Sequence, residues 1–283
     1  MKPLMRLLEG KLNDKELELV PRSYDIIGSK NKAVAIIEIP KEIKNRKELI
    51  AEAVMKLNKN VKSVLNKISG RKGTYRLEDL ELIAGDNNTE VIHKEHGYLL
   101  KLDPRKVFFS PREATERQRV ASQVRPGENV LVMFSGIGPY AIAIAKKQPE
   151  IEKVYCVEIN PDAHEYAEEN VRINKLAHKI MLMNDNVKKV SSKLKLKFDR
   201  IVMPMAVGGE EFLDVAFKLI KDGGMIHFYS VGKEDDLFIE AEKTVIQVAL
   251  SNRKRIKIEN RVKVLPFGVR KHKICLDIRA GVP

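Results

Sequence analysis

From Glu128 onward, short apolar runs alternate with amphipathic stretches, and this rhythm restricts the possible folds more than any other feature of the sequence. NVLVMF precedes PYAIAIAKKQ, and KVYCVEI precedes PDAHEYAEENVRINK; KIMLM follows, then DRIVM before EEFLDVAFKLIK, then GMIHFYSV before a helical stretch through 235–250. Apolar runs rich in Val and Ile read as strands, and the stretches between them place their apolar residues at helical spacing. Such alternation predicts an α/β fold with a doubly wound, mainly parallel sheet. RIKIENRVKVL and HKICLDIRA add two further strands, expected as an antiparallel hairpin at the sheet edge.

Upstream the pattern differs. AVAIIEI (33–39) and VKSVLNKI (61–68) read as strands flanking the amphipathic helix ELIAEAVMKL (48–57), and YRLEDLELIAG, TEVIHKEHG and YLLKL as later strands after the breaker SGRKG. These define a small α+β domain over 25–105, preceded by a short accessory element over 1–24 and followed by the α/β domain over 106–283. There is no internal repeat.

Composition narrows the class. The 283 residues are 43% hydrophobic, enough to bury two cores, and no apolar run approaches the ~20 residues of a membrane span. A soluble, cytoplasmic protein, expected as a monomer, is the reading. Cys156 and Cys275 lie singly in apolar runs, so neither a disulfide framework nor a cysteine metal site is expected, and His93, His96 and His227 have no metal-binding spacing. Formal charge is +13, unevenly distributed. Residues 106–252 carry 21 groups of each sign, whereas 253–283 hold ten basic groups against Glu259 and Asp277. That tail is either a solvated strand pair with lysines protecting an edge or a surface for a polyanion.

Three strand ends carry the chemistry. The first βα turn of the α/β domain is Phe134-Ser135-Gly136-Ile137-Gly138-Pro139-Tyr140, where the glycines permit a tight turn and close approach to a ligand. Glu158, followed by Ile159, ends the next strand at the spacing of a ribose-binding carboxylate; a charge at a helix N-terminus is the alternative. Asn184-Asp185-Asn186 ends the third strand, suited either to hydrogen-bonding an adenine or to capping a helix. Together they outline an adenosine site. Tyr140 and Ala141 do not supply the further glycine of a dinucleotide fingerprint, so S-adenosylmethionine fits better than NAD. Ahead of the domain, Arg112, Glu116 and Arg119 recur at i, i+4, i+7, a helical face that reads as a surface ion-pair stripe or as a group binding a carboxylate or phosphate.

The run from Val61 through Val120, with FFSPREATERQRV at its end, and MFSGIGPYAIAIAK resemble the archaeal and eukaryotic tRNA (guanine-37-N1)-methyltransferase family. The similarity extends over about residues 25–280. The resemblance implies a small RNA-contacting α+β domain before a Rossmann-like class I methyltransferase domain, with S-adenosylmethionine as cofactor and the anticodon region of tRNA as partner. It implies that Ser110 and Arg117 lie near the amino-acid end of the cofactor, that Phe134, Ser135, Gly136, Gly138 and Tyr140 line it, and that Glu158 and Ile159 meet its ribose. Asp185 and Asn186 would meet the adenine. Arg112 would stabilise the guanine as N1 loses its proton, with Glu116 and the Pro204 region completing the catalytic group. Arg119, Arg253, Lys254, Arg255, Arg270 and Lys271 are expected to contact RNA.

Two positions depart from the family pattern. Val132 stands where the family has Asp, and Met203-Pro204-Met205 stands where the methyltransferases have Asn-Leu-Pro. The sister wyosine-pathway enzymes, which transfer the aminocarboxypropyl group of the same cofactor, also lack Asn-Leu-Pro; Ser110-Pro111-Arg112 is typical of the methyltransferases. Methyl transfer to guanine-37 is therefore the first reading, aminocarboxypropyl transfer the second, and a catalytically weakened tRNA-binding protein the third.

Overall fold

The computed structural model describes residues 2–281 and divides into two compact units, one running through Pro111 and the other from Arg112. The first unit begins with helices α1 (Pro3–Leu8) and α2 (Asp14–Leu19). Asn13 caps α2 in a capping box with Glu16, each side chain accepting the other's backbone N–H. Residues 1–24, expected as a short accessory element, contribute Leu4, Leu8, Leu12 and Val20 to the core shared by the sheet and α3 of this unit. That sheet runs β1 (Asp25–Gly28), β2 (Ala33–Ile37), β3 (Val61–Lys67), β4 (Leu80–Gly85), with α3 (Lys47–Leu57) linking the parallel pair β2 and β3. A separate hairpin pairs β5 (Val91–Glu95) with β6 (Tyr98–Leu102). The first strand has no counterpart in the sequence reading. The strand expected from Tyr75 begins only at Leu80, because Lys72 and Leu77 bridge a turn there.

A 3-10 turn over Pro111–Glu113 leads into the second unit, whose first helix is α4 (Ala114–Ala121). Strands and helices then alternate as β7 (Asn129–Met133), α5 (Pro139–Lys147), β8 (Lys153–Glu158), α6 (Pro161–Ile173), β9 (Ile180–Asn184), α7 (Val187–Lys193), β10 (Phe198–Met203) and α8 (Leu213–Leu219). The unit closes with β11 (Ile220–Lys233), α9 (Ile239–Ser251), β12 (Ile256–Gly268) and β13 (Lys271–Ala280). The seven strands lie in the order β12-β13-β11-β10-β7-β8-β9. All neighbours from β11 to β9 are parallel, whereas β13 runs antiparallel to both β11 and β12. The order reverses between β7 and β10, so the carboxyl ends of these strands flank the crevice where open α/β sheets hold ligands.

The element following β10 departs from the sequence reading. A single helix was expected over 210–221; instead a 3-10 turn at Gly209–Phe212 leads into α8, and the chain is already extended at Ile220. Ile220 pairs with Phe198, and Gly223, at φ +78°, forms part of the bulge that brings Met225 opposite Arg200. Phe198, Ile201, Met203, Phe217, Ile226 and Phe228 are buried in one core. Each such side chain stabilises the fold by about 1.5–3 kcal/mol through burial.

Candidate active site and cofactor pocket

The turn after β7 has a conformation unusual for its residues. Phe134 adopts φ +55°, Gly136 φ +54° and Gly138 φ +84°. A Cβ at Gly136 would meet nothing within 4 Å, so the space above the turn is open. Phe134 is held by an edge-to-face contact with Phe212, ring centroids 4.8 Å apart. Pro139 starts α5 at a position where its missing N–H costs nothing.

Glu158 reaches the turn from the end of β8. One carboxylate oxygen accepts the Gly136 N–H at 2.7 Å and the other the Asn160 N–H at 2.8 Å. The Ile159 N–H bonds the same carboxylate, which leaves one acceptor site for a ribose hydroxyl. Burial pushes the Glu158 carboxyl above the usual carboxylate range, against the lowering effect of the backbone amides. Beside it, Ser135 Oγ is buried and, among the described residues, has the Cys156 thiol as a weak neighbour and no conventional hydrogen-bond partner. An open turn, a doubly anchored carboxylate and an unsatisfied hydroxyl at one sheet edge fit the nucleoside end of S-adenosylmethionine.

The third strand end is divided between two tasks. Asn186 caps α7, its side-chain oxygen accepting the Lys188 N–H at 2.8 Å, so the helix-cap reading holds for its Oδ1. Asp185 is half-buried, accepts the Asn186 N–H at 2.7 Å and lies 3.9 Å from both Lys189 and Lys193. Ile159 is half-buried next to Glu158. Tyr140 differs from expectation: its ring is 3% exposed and its hydroxyl donates to Tyr229 at 3.0 Å, so its polar tip points into the domain interior.

Helix α4 carries the remaining groups. Arg112 is exposed in the 3-10 turn ahead of it, Ser110 is half-buried, and Arg117 is buried. Glu116 is 6% exposed; Oε1 accepts from Tyr229 Oη at 2.5 Å and from Arg119 at 2.7 Å, and Oε2 accepts from Arg119 Nε at 2.8 Å. Arg119 also donates to both oxygens of Asp277, at 2.6 and 3.1 Å. Its guanidinium, expected to face RNA, is thus held between two carboxylates inside the domain. Arg112, Glu116 and Arg119 are therefore not one solvent-facing stripe.

Asp277 on β13 is central to this network, and neither it nor Tyr229 stands out in the sequence. It is fully buried, faces His227 Nδ1 at 2.6 Å and accepts from Gln123 and Asn260. Arg200 approaches His227 Nε2 at 2.8 Å. A guanidinium can only donate, so Nε2 accepts and the proton lies on Nδ1, directed at Asp277. Burial alone would raise the Asp277 carboxyl, but His227 and Arg119 hold it far below the usual range. His227, Cys275 and Asp277 bring possible ligand atoms within 4.8 Å, but the guanidiniums of Arg119 and Arg200 already supply the positive charge there.

The basic tail is split by the sheet register. Lys271 pairs with Lys233 beyond the carboxyl ends of the parallel strands, whereas Arg279 and Ala280 lie at the opposite, amino edge beside Met225 and Ile256. Arg270 and Lys271 thus share the edge of the glycine turn, and Arg253, Lys254 and Arg255 lie at the other end of β12, roughly 30 Å away along the partner strand β13, since the bulges in β12 take up its extra residues. Arg270 is bound to Asp235 at 2.7 Å and Lys254 to Asp222 at 2.6 Å. Arg253, at φ +54°, ends α9: its N–H reaches Leu250 O and that of Lys254 reaches Ala249 O. Val132, replacing the family aspartate, is fully buried opposite Cys156 and Val202, and Pro204 is half-buried where β10 ends.

This arrangement has close parallels. The model of the TRM5/TYW2 methyltransferase domain matches residues 91–263, and that of the TYW2 N-terminal domain matches residues 4–89. The tRNA (guanine(37)-N(1))-methyltransferase Trm5b of Pyrococcus abyssi is 40% identical over 262 residues, 93% of this chain and 76% of that protein. The chain belongs to the TRM5/TYW2 methyltransferase family. Within this family, the tRNA(Phe) (4-demethylwyosine(37)-C(7)) aminocarboxypropyltransferase of Methanocaldococcus jannaschii is 33% identical, over 81% of this chain and 87% of that one. Among solved family structures, aTrm5 in complex with tRNALeu superposes with a TM-score of 0.83 at 31% identity, covering 98% of this chain and 78% of the other. Pyrococcus horikoshii TYW2 in complex with MeSAdo superposes with a TM-score of 0.79 at 27% identity, covering 98% and 97%.

Proposed function

We propose that this family member is a cytoplasmic, monomeric tRNA (guanine-37-N1)-methyltransferase. The observation that carries the reading is that Ser110-Pro111-Arg112 leads directly into a helix bearing a buried carboxylate, Glu116, in a domain whose glycine turn and Glu158 fit an adenosine. S-adenosylmethionine, when bound there, supplies an electrophilic methyl group. The protein then has three tasks. Glu158 would accept from the ribose, the half-buried Asp185 would meet the adenine, and Arg117 and Ser110 would hold the amino-acid end. Arg112, exposed ahead of α4, offers positive charge to the guanine as N1 loses its proton. Glu116 retains one acceptor site on Oε2 after Tyr229 and Arg119 have taken the other three, so it can receive that proton. Pro204 and the backbone following it border the target base where Asn-Leu-Pro would stand.

The tRNA substrate meets Lys271 and Arg270 at the carboxyl edge and residues 25–105 of the small unit, with guanine-37 turned out of its stack. Aminocarboxypropyl transfer is the second reading, favoured by Met203-Pro204-Met205 and by the match of residues 4–89 to the TYW2 N-terminal domain. Cofactor labelled either in its methyl group or in its aminocarboxypropyl carbons separates the two. Methyl label passing to unmodified tRNA, and not to tRNA with adenine at position 37, is the expected result; transfer of the carbon-chain label would establish the second reading.

A further inference from the structure

One tyrosine connects the helix behind the glycine turn to the helix that carries the proposed base. Tyr229, at the centre of β11, is fully buried. Its hydroxyl receives a hydrogen bond from Tyr140 of α5 at 3.0 Å and donates one to Glu116 of α4 at 2.5 Å. Burial raises both phenols well above their ordinary range, so both remain protonated and the direction of donation is fixed. A second fixed donor approaches Glu116 from its own helix, since Arg119 is clamped by Asp277 of β13. Lys273 of β13 sits 4.8 Å over the Tyr229 ring while bonding Glu113 at 2.8 Å, which ties down the residue next to Arg112.

A carboxylate on an eight-residue helix would otherwise rotate among several rotamers. Here the sheet supplies one donor directly, through Tyr229, and orients the other, through Asp277 and Arg119. Three of four acceptor sites are thereby fixed, and the fourth has a single direction.

We propose that Tyr229 is a positioning residue for the methyl-transfer reaction: its hydroxyl bridges Tyr140 and Glu116, fixing the carboxylate and helix α4 relative to the glycine turn. The proposal rests on the methyltransferase reading, in which Glu116 accepts the N1 proton. Positioning errors of about 1 Å can cost a hundredfold in rate, so losing one of two fixed donors is expected to slow the reaction about tenfold.

The test compares wild type with Tyr229→Phe, which removes one oxygen and leaves the ring in place. Three quantities are measured: the single-turnover rate of methyl transfer to tRNA, the dissociation constants for tRNA and cofactor measured separately, and hydrogen exchange of segment 110–121 without ligands. The expected result is a rate reduced about tenfold, both dissociation constants within about twofold of wild type, and faster exchange confined to that segment. An unchanged rate overturns the proposal whatever the exchange shows. A reduced rate with unchanged exchange also overturns it, by assigning Tyr229 to the chemistry itself. If Tyr229→Phe unfolds, Tyr140→Phe tests the same bridge from its other end, with the same outcomes deciding. Wild-type protein that transfers no methyl group would defeat the methyltransferase reading instead, a result distinguishable from all of these.

Discussion

At the scale of single residues, Glu158 ties the end of β8 to the glycine turn through the Gly136 N–H, and on the proposed reading its remaining acceptor site meets the cofactor ribose. Replacing it with Ala removes its charge-assisted hydrogen bonding to the ribose, and cofactor affinity should fall about tenfold or more in a calorimetric titration. Its protonation has two opposite consequences. Ribose binding needs the ionised form, so affinity should be lost as pH falls through the raised Glu158 pKa, before ordinary carboxylates titrate near about 4.3. Without ligand the sign reverses: a carboxyl whose pKa rises on folding contributes stability below its unfolded pKa and loses it as pH rises through the folded one. Affinity that holds down to the ordinary carboxylate range would contradict the assignment. The place of Glu158 beside the glycine turn was legible in the sequence because its spacing from that turn marks it. Asp277 and Tyr229 were not, since an acid within HKICLDIRA and a tyrosine within GMIHFYSV look like any strand residues until the register sets them beside Arg119 and Glu116.

At the scale of elements, β13 does more than close the sheet. Asp277 joins it to α4 through Arg119, to β11 through His227 and to β12 through Asn260. Its replacement by Ala would leave the buried His227 imidazole without its acceptor and the half-buried Arg119 with Glu116 alone, and should cost about 3–5 kcal/mol in denaturant unfolding. Because the Asp277 pKa is depressed, its contribution is complete above the unfolded value of about 3.9 and is lost as pH falls below it. A loss under about 1 kcal/mol would show that the network is poorly coupled to folding. The strand-helix alternation was readable across this unit because buried parallel strands are nearly continuous apolar runs. The segment after β10 was not, since GEEFLDVAFKLIK has helical spacing throughout and only the pairing of Ile220 with Phe198 makes its end a strand.

At the scale of the whole molecule, the charge that looked like one basic tail falls on two opposite edges of the sheet. A tRNA whose guanine enters beside the glycine turn meets Lys271, whereas Arg253 and Lys254 terminate α9 at the far edge. Binding should weaken with salt, and Lys271→Ala should reduce the salt slope by about 1, with Arg253→Ala leaving it unchanged. A slope that responds to Arg253 and not to Lys271 would place the RNA on the other edge. No helix of the described residues is long and apolar enough to cross a membrane. On the proposed reading, Ser110-Pro111-Arg112, Glu116 and the glycine turn serve one reaction, and its product decides the account. The protein should be incubated with unmodified tRNA and S-adenosylmethionine, the tRNA digested, and the nucleosides weighed. We expect guanosine from position 37 heavier by one methyl group; a nucleoside carrying an aminocarboxypropyl group, or no product despite tRNA binding, would contradict methyl transfer.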